Sequence, residues 1–343
     1  MTNTILHFGH KGLNPLVAPN ANNINIKTTM KKILLTLAAV AALVSCSNEE
    51  IVDLNRTEIA FGSAFIENST RALGDDYSGT KALQQFTLYG TVTGNAATVN
   101  LYNAATVSGN VGDATWNCSQ TQYWVPNASY KFAAVVDGTV KTADANGMPL
   151  TLGYTVANGG GDLLYAEANA TTNASATPTS GVNTNGVVEF TMNHLLSKVY
   201  FHITNSAGSD AYSYQVTGIT VNNALKEGTY TIPQGSTPEK WEGTGDLDGL
   251  SFGTTGEIAN GKDADATEDQ LIIPAAQTLE VVIAYDILFK GTKISATTAT
   301  KSLTYTFEKN KVYRVGVTLP APGKPIEFTI STAPAWNGTE VNI

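Results

Sequence analysis

Cysteine is nearly absent: 343 residues contain only Cys46 and Cys118. No intrachain disulfide is expected, because Cys46 has another fate, so stability must come from packing. Histidine is almost as scarce. Of the four, His7 and His10 precede residue 30, which leaves His194 and His202. Neither sits in an H-E-x-x-H pattern, and both fall in strand-like context, so local hydrogen bonds are expected of them rather than catalysis or metal binding. Charge is sparse and acidic, with 29 Asp and Glu against 20 Lys and Arg. No basic cluster follows Lys32, which excludes nucleic acid as a partner. No G-x-S-x-G elbow is present, and Gly159-Gly160-Gly161-Asp162 lacks the Lys-Ser/Thr of a phosphate loop. Asp246-Leu247-Asp248-Gly249 and the acidic run of Asp263, Asp265, Glu268 and Asp269 lack the remaining ligands of a calcium loop and look like solvated turns. No catalytic residue, cofactor or metal is therefore expected, and the chain is not expected to be an enzyme.

A long apolar run is missing too. The longest, Ile33–Val44, has 12 residues, where a membrane-spanning helix needs about 20. What surrounds it is informative. Lys31 and Lys32 precede it, and Leu43-Val44-Ser45-Cys46 closes it as a lipobox. Residues 30–45 are thus expected to be a lipoprotein signal peptide, Cys46 the lipidated residue, and residues 1–29 an upstream extension that is not native. Acyl chains on Cys46 would anchor the protein by about 0.8 kcal/mol per buried CH₂. Ser47-Asn48-Glu49-Glu50 resembles an acidic tag for export to the surface of a Gram-negative cell. Removal of residues 1–45 takes away four lysines and no acidic residue, which moves the formal charge from −9 to −13.

The remainder is rich in Gly, at 31 residues, and in Thr, Val, Ala and Asn, a composition that favours strands and turns. Phe86, Leu88, Gly90 and Val92 alternate with polar or small residues. So do Tyr130 to Val136, Leu279 to Ile287, Leu303 to Phe307, Tyr313 to Leu319, and Ile326 to Ile330. Ile59-Ala60-Phe61 is a shorter β-like start. Between Phe190–Met192 and Val199–Ile203 the inward parity slips by one, which calls for a break near Leu195-Leu196-Ser197. Residues 137–186 look mostly loop-like around a short island at Asp162–Ala166, and residues 233–269 look like long loops. A domain boundary is expected near residue 185.

Several segments, in order, resemble the fimbrillin family, the shaft and accessory subunits of type V pili. They are the lipobox with its acidic tail, Ile59-Ala60-Phe61 before Ser69-Thr70-Arg71-Ala72, Tyr123-Trp124 before Tyr130-Lys131-Phe132, and Asp162-Leu163-Leu164. Phe190-x-x-x-His194-x-Leu196-Ser197-Lys198-Val199, Ile272-Ile273-Pro274, Lys311-Val312-Tyr313 and Pro325-Ile326-Glu327-Phe328…Trp336 follow. The family's usual Ile-Pro-Gln here reads Ile273-Pro274-Ala275.

The resemblance implies an all-β chain of two transthyretin-like β-sandwich domains in tandem, residues 72–185 and 186–343, behind a tether and removable strand at 46–71. It implies an outer-membrane lipoprotein precursor, displayed at the surface and cut by an arginine-specific protease. Arg71 is the expected site and Arg56 the alternative. The cut would release the strand carrying Ile59 and Phe61. A C-terminal donor strand from another subunit, with Ile326, Phe328, Ile330 and Trp336, would then fill the groove and build an adhesive fimbria. The implied partners are other fimbrial subunits, outer-membrane lipid through acylated Cys46, and a host glycan or protein. Two alternatives stay open: a monomeric surface lipoprotein that binds glycan or host ligand, and an uncleaved anchor or tip pilin.

Overall fold

The computed structural model describes residues 56–66, 83–94, 97–110 and 112–333; Cys46, Arg71 and Trp336 lie outside these. Every regular element among the described residues is a strand. The first half of the chain forms β1 (Ala60–Phe61), β2 (Phe65–Ile66), β3 (Gln85–Thr93), β4 (Thr98–Ser108), β5 (Asn117–Cys118), β6 (Ser129–Val136), β7 (Thr139–Ala143), β8 (Pro149–Thr155), β9 (Leu164–Thr172), β10 (Pro178–Ser180), β11 (Val187–Val188) and β12 (Thr191–His194). The second half forms β13 (Ser197–Ser206), β14 (Tyr212–Asn222), β15 (Ala224–Thr231), β16 (Lys240–Leu247), β17 (Leu250–Gly253), β18 (Glu257–Ala259), β19 (Asp263–Asp265), β20 (Gln270–Ile272), β21 (Ala276–Phe289), β22 (Thr292–Thr306), β23 (Lys311–Pro320) and β24 (Glu327–Ala333).

The buried apolar side chains fall into two clusters. The first core lies on one face of an eight-stranded sheet ordered β2-β12-β9-β6-β3-β4-β5, with β10 beside β9. Alternation decides its content: Phe86, Leu88 and Val92 of β3 and Phe132, Ala134 and Val136 of β6 point inward. Ala133 and Val135 of β6 point the other way and join the second core. That core is sandwiched between the sheet β19-β13-β23-β24 and the sheet β17-β14-β21-β22. β13 and β23 run parallel over ten paired positions, from Ser197↔Lys311 to Ser206↔Pro320. A parallel neighbour needs a long crossover, and here the crossover carries the whole opposing sheet.

The expected break is present. β12 ends at His194 and β13 begins at Ser197, and the buried Leu195 and Leu196 between them carry the chain from the first core to the second. Two expectations are corrected. Residues 137–186 hold β7, β8, β9 and β10, and residues 233–269 hold β16 to β19. These strands are polar on their outward faces, as in the exposed pattern of β16 (Lys240–Leu247), so Thr, Gly and Asp gave them the composition of loops. β7 and β8 also cross between the halves of the chain, pairing with β15 and β16 in a four-stranded sheet ordered β16-β15-β8-β7. Through them Met148, Leu152 and Tyr154 belong to the second core.

Candidate functional site

The first core is closed by residues 56–66, which thread a slot between two other segments. On one side β1 runs parallel to β11, Phe61 opposite Val188, and β2 runs parallel to β12, Phe65 opposite Thr191. Between these short ladders Gly62 N–H donates to the Val188 carbonyl (2.9 Å) and Phe65 N–H to the Phe190 carbonyl (2.8 Å). A Cβ on Gly62 would come within 3.1 Å of Val187 Cγ1, so any side chain here would push Val187 aside by a few tenths of an ångström. On the other side Ile59 N–H donates to the Gln122 carbonyl (2.9 Å), while Trp116 N–H donates to the Phe61 carbonyl (2.7 Å) and Trp124 N–H to the Thr57 carbonyl (3.1 Å).

Ile59 and Phe61 point into the core at 1% and 0% exposure. The Phe61 ring sits edge-on to Tyr102 (5.5 Å) and Phe132 (5.6 Å) and is stacked with Phe190 (6.3 Å). Each such burial is worth roughly 1.5–3 kcal/mol, and each backbone bond a net 0.5–1.5 kcal/mol, approximately. The surrounding slot is not fully satisfied. The Tyr102 hydroxyl and Trp124 Nε1 are buried without a hydrogen-bond partner, and burial pushes the Tyr102 pKa well above its usual range. Orphaned groups of this kind cost about 1–3 kcal/mol each.

The C-terminal candidate belongs to the second core. β24 forms the edge of its sheet and pairs antiparallel with β23, Phe328 opposite Val317 and Ile330 opposite Val315. Ile326, Phe328 and Ile330 are only half-buried against the second core. Arg56 is exposed at the head of the N-terminal segment, ahead of both core-filling side chains. Sequence patterns missed Phe65–Ile66, Trp116, Gln122 and Val187–Val188, because the slot uses two-residue strands and loop carbonyls that leave no periodicity.

The remaining polar residues singled out from sequence are engaged locally. His194 Nδ1 and Asp162 Oδ2 form a buried pair, and His202 Nδ1 lies 2.6 Å from Asp265 Oδ1. Lys198 pairs with Asp269 at 2.8 Å, and Asp248 Oδ1 accepts from the Asn223 N–H at 3.0 Å. Among the described residues no cluster of His, Cys, Asp and Glu is arranged to hold a metal ion.

An all-β chain with two buried cores, one of them closed by a segment with two-residue ladders, defines a β-sandwich protein. The fimbrillin-like family model matches residues 70–336, so the chain belongs to the fimbrillin-like family. Among solved structures it resembles a fimbrial protein from Bacteroides vulgatus ATCC 8482, at 15% identity and a TM-score of 0.53 over 82% of this chain and 100% of that one. It is also similar to a candidate cell adhesion protein from Bacteroides ovatus ATCC 8483, at 16% identity and a TM-score of 0.48 over 81% and 96% of the two chains. At these identities the likeness is one of fold, and it is the first structure that carries it. No curated protein matches the sequence.

Proposed function

We propose that this chain is a structural, adhesive subunit of a cell-surface fimbria, exported as a lipoprotein acylated at Cys46 and assembled by protease-triggered strand exchange. The single observation that carries this is the seating of Ile59 and Phe61. Side chains at the centre of a core belong to a segment held only by two-residue ladders and loop carbonyls. A cut after Arg71 would free residues 46–71. The slot left along β11 and β12 would offer unpaired backbone groups and an apolar floor, a template for another strand. β24 of another subunit is the donor in this scheme, with Ile326, Phe328 and Ile330, and with Trp336 beyond the described residues. Head-to-tail contacts of this kind are heterologous and give open filaments. In this scheme the two sandwich domains meet at the Leu195-Leu196 crossing, since Val188, Phe190 and Met192 still fill the first core, and β7 and β8 reach from the first into the second.

One observation favours a second reading. β24 lies paired in its own sheet, as it would in an uncleaved anchor or tip subunit or in a monomeric surface lipoprotein that binds a host ligand. The deciding experiment is N-terminal sequencing and mass of protein from sheared surface material, with and without an arginine-specific protease. Chains starting at Ala72 in SDS-resistant ladders are expected. A lipidated Cys46 terminus on a monomer that ignores the protease would overturn strand exchange in favour of the anchor or monomer.

A further inference from the structure

The outward face of the sheet β16-β15-β8-β7 carries a groove that strand exchange leaves unused. Thr139, Gly153, Thr229 and Glu242 form one cross-strand row on this face, and Thr155, Glu227 and Thr244 form the next. Gly153 interrupts the first row, so the face dips to bare backbone there. The β7–β8 register shifts between Val140 and Thr142, a bulge that redirects the side chain between them. The Lys141 stem accordingly lies directly over the Gly153 α-carbon, against the position a Cβ would take. The far wall is the glycine run singled out in the sequence. Tyr154 donates its hydroxyl to the Gly161 carbonyl at 2.5 Å, and the Asp137 carboxylate packs against the Gly161 α-carbon. Together they enclose about 500 Å³, within the roughly 300–1,000 Å³ of small-molecule sites.

The lining narrows the ligand. Asp137 and Glu227 disfavour an anion, while Glu242 is paired with Lys240 at 2.6 Å and serves as an acceptor. An apolar ligand would find little to cover, since Tyr154 is already 92% buried, its exposure being 8%. Lys141 opposes a cation, and neither it nor Glu227 forms an ion pair or side-chain hydrogen bond among the described residues. What suits carboxylate acceptors, an ammonium donor and threonine hydroxyls that can do either is an uncharged ligand dense in hydroxyl groups. We infer that this groove binds a neutral glycan through one or two hexose units. The inference does not depend on strand exchange, which is read by the ladder, so the two can fail separately.

The test uses the full chain and three neutral disaccharides, lactose, maltose and cellobiose, with sialyllactose as the acidic probe and a glucosamine disaccharide as the cationic one. Binding is read by saturation-transfer NMR and by titration calorimetry. At least one neutral disaccharide is expected to bind and sialyllactose to bind more weakly. Glu227→Gln and Gly153→Val should each weaken binding by about tenfold or more, the scale of a lost charge-assisted hydrogen bond. Thermal unfolding should be unchanged in Glu227→Gln, and Lys293→Gln on the distant β21–β22 hairpin should bind normally. Should Gly153→Val fail to fold, Glu227→Gln alone decides. The inference is overturned if no neutral disaccharide binds at tens of millimolar, if the cationic or acidic probe binds better, or if Glu227→Gln leaves binding unchanged.

Discussion

The two cores are closed by different means. The second is bounded by long ladders of its own: β21 and β22 pair from Ala276↔Thr306 to Phe289↔Thr292, and β13 and β23 over ten positions. The first depends on a terminal segment whose ladders are two residues each, yet whose Phe61 sits among Tyr102, Phe132 and Phe190. Energy in the second core is spread over neighbours that are hard to remove one at a time. In the first, two of the buried side chains, Ile59 and Phe61, come from a segment whose own ladders are short. The contrast teaches that a segment can fill the centre of a core while its backbone pairing stays short.

The sharpest way to break this comparison is Arg71→Ala. Protease-triggered ladder formation should vanish while Arg56→Ala leaves it intact, as gel analysis after protease treatment would reveal; equal effects of the two would move the cut. Next in size is Phe61→Ala, expected to cost about 3–5 kcal/mol as a buried Phe truncation. Hydrogen exchange should localise the loss to the first core, and protection of β13 and β23 should be retained. Phe328→Ala, at a half-buried edge position, should cost about 1–2 kcal/mol of monomer stability and yet remove ladder formation, which separates donor packing from folding. Tyr102→Phe should be neutral or stabilising by up to about 1 kcal/mol in denaturant unfolding, because it deletes a buried hydroxyl that has no partner.

The smallest effect lies at the surface, in an ion pair beside Tyr230 of the second core. The Lys309 ammonium, with help from the Tyr230 hydroxyl, holds the Glu239 carboxyl below its ordinary value of 4.5. A depressed folded-state pKa gives stability that is present above the ordinary value and lost as pH falls through the folded one. Glu239→Gln should therefore flatten the stability curve only on the acid side of about pH 4.5, with no change near neutrality.

Much of this was legible in the residues. Alternation located β3, β21 and β23, whose larger apolar residues face a core on one side, and β6, whose larger residues face the first core while Ala133 and Val135 face the second. The parity slip at Leu195-Leu196 marked where the chain changes core. Ile59 and Phe61 stood out as apolar residues in a polar tether. The slot that receives them did not, since Trp116, Gln122 and Val188 contribute backbone groups, and backbone bonding leaves no trace in side-chain pattern. The outward face of β7, β8, β15 and β16 escaped for the opposite reason. Its threonines and glutamates are solvated, so nothing in their chemistry separates a polar strand from a loop. The glycine run at residues 159–161, dismissed as a phosphate loop, forms a wall of the groove instead.

The sheet shared between the halves of the chain has a mechanical consequence. β8 and β15 pair from Glu227↔Thr155 to Thr231↔Thr151, so strands separated by most of a domain in sequence are riveted side by side. A subunit pulled from both ends in flowing fluid could not extend at the Leu195-Leu196 crossing until that rivet tore. The shared sheet therefore stiffens the chain where its two cores meet.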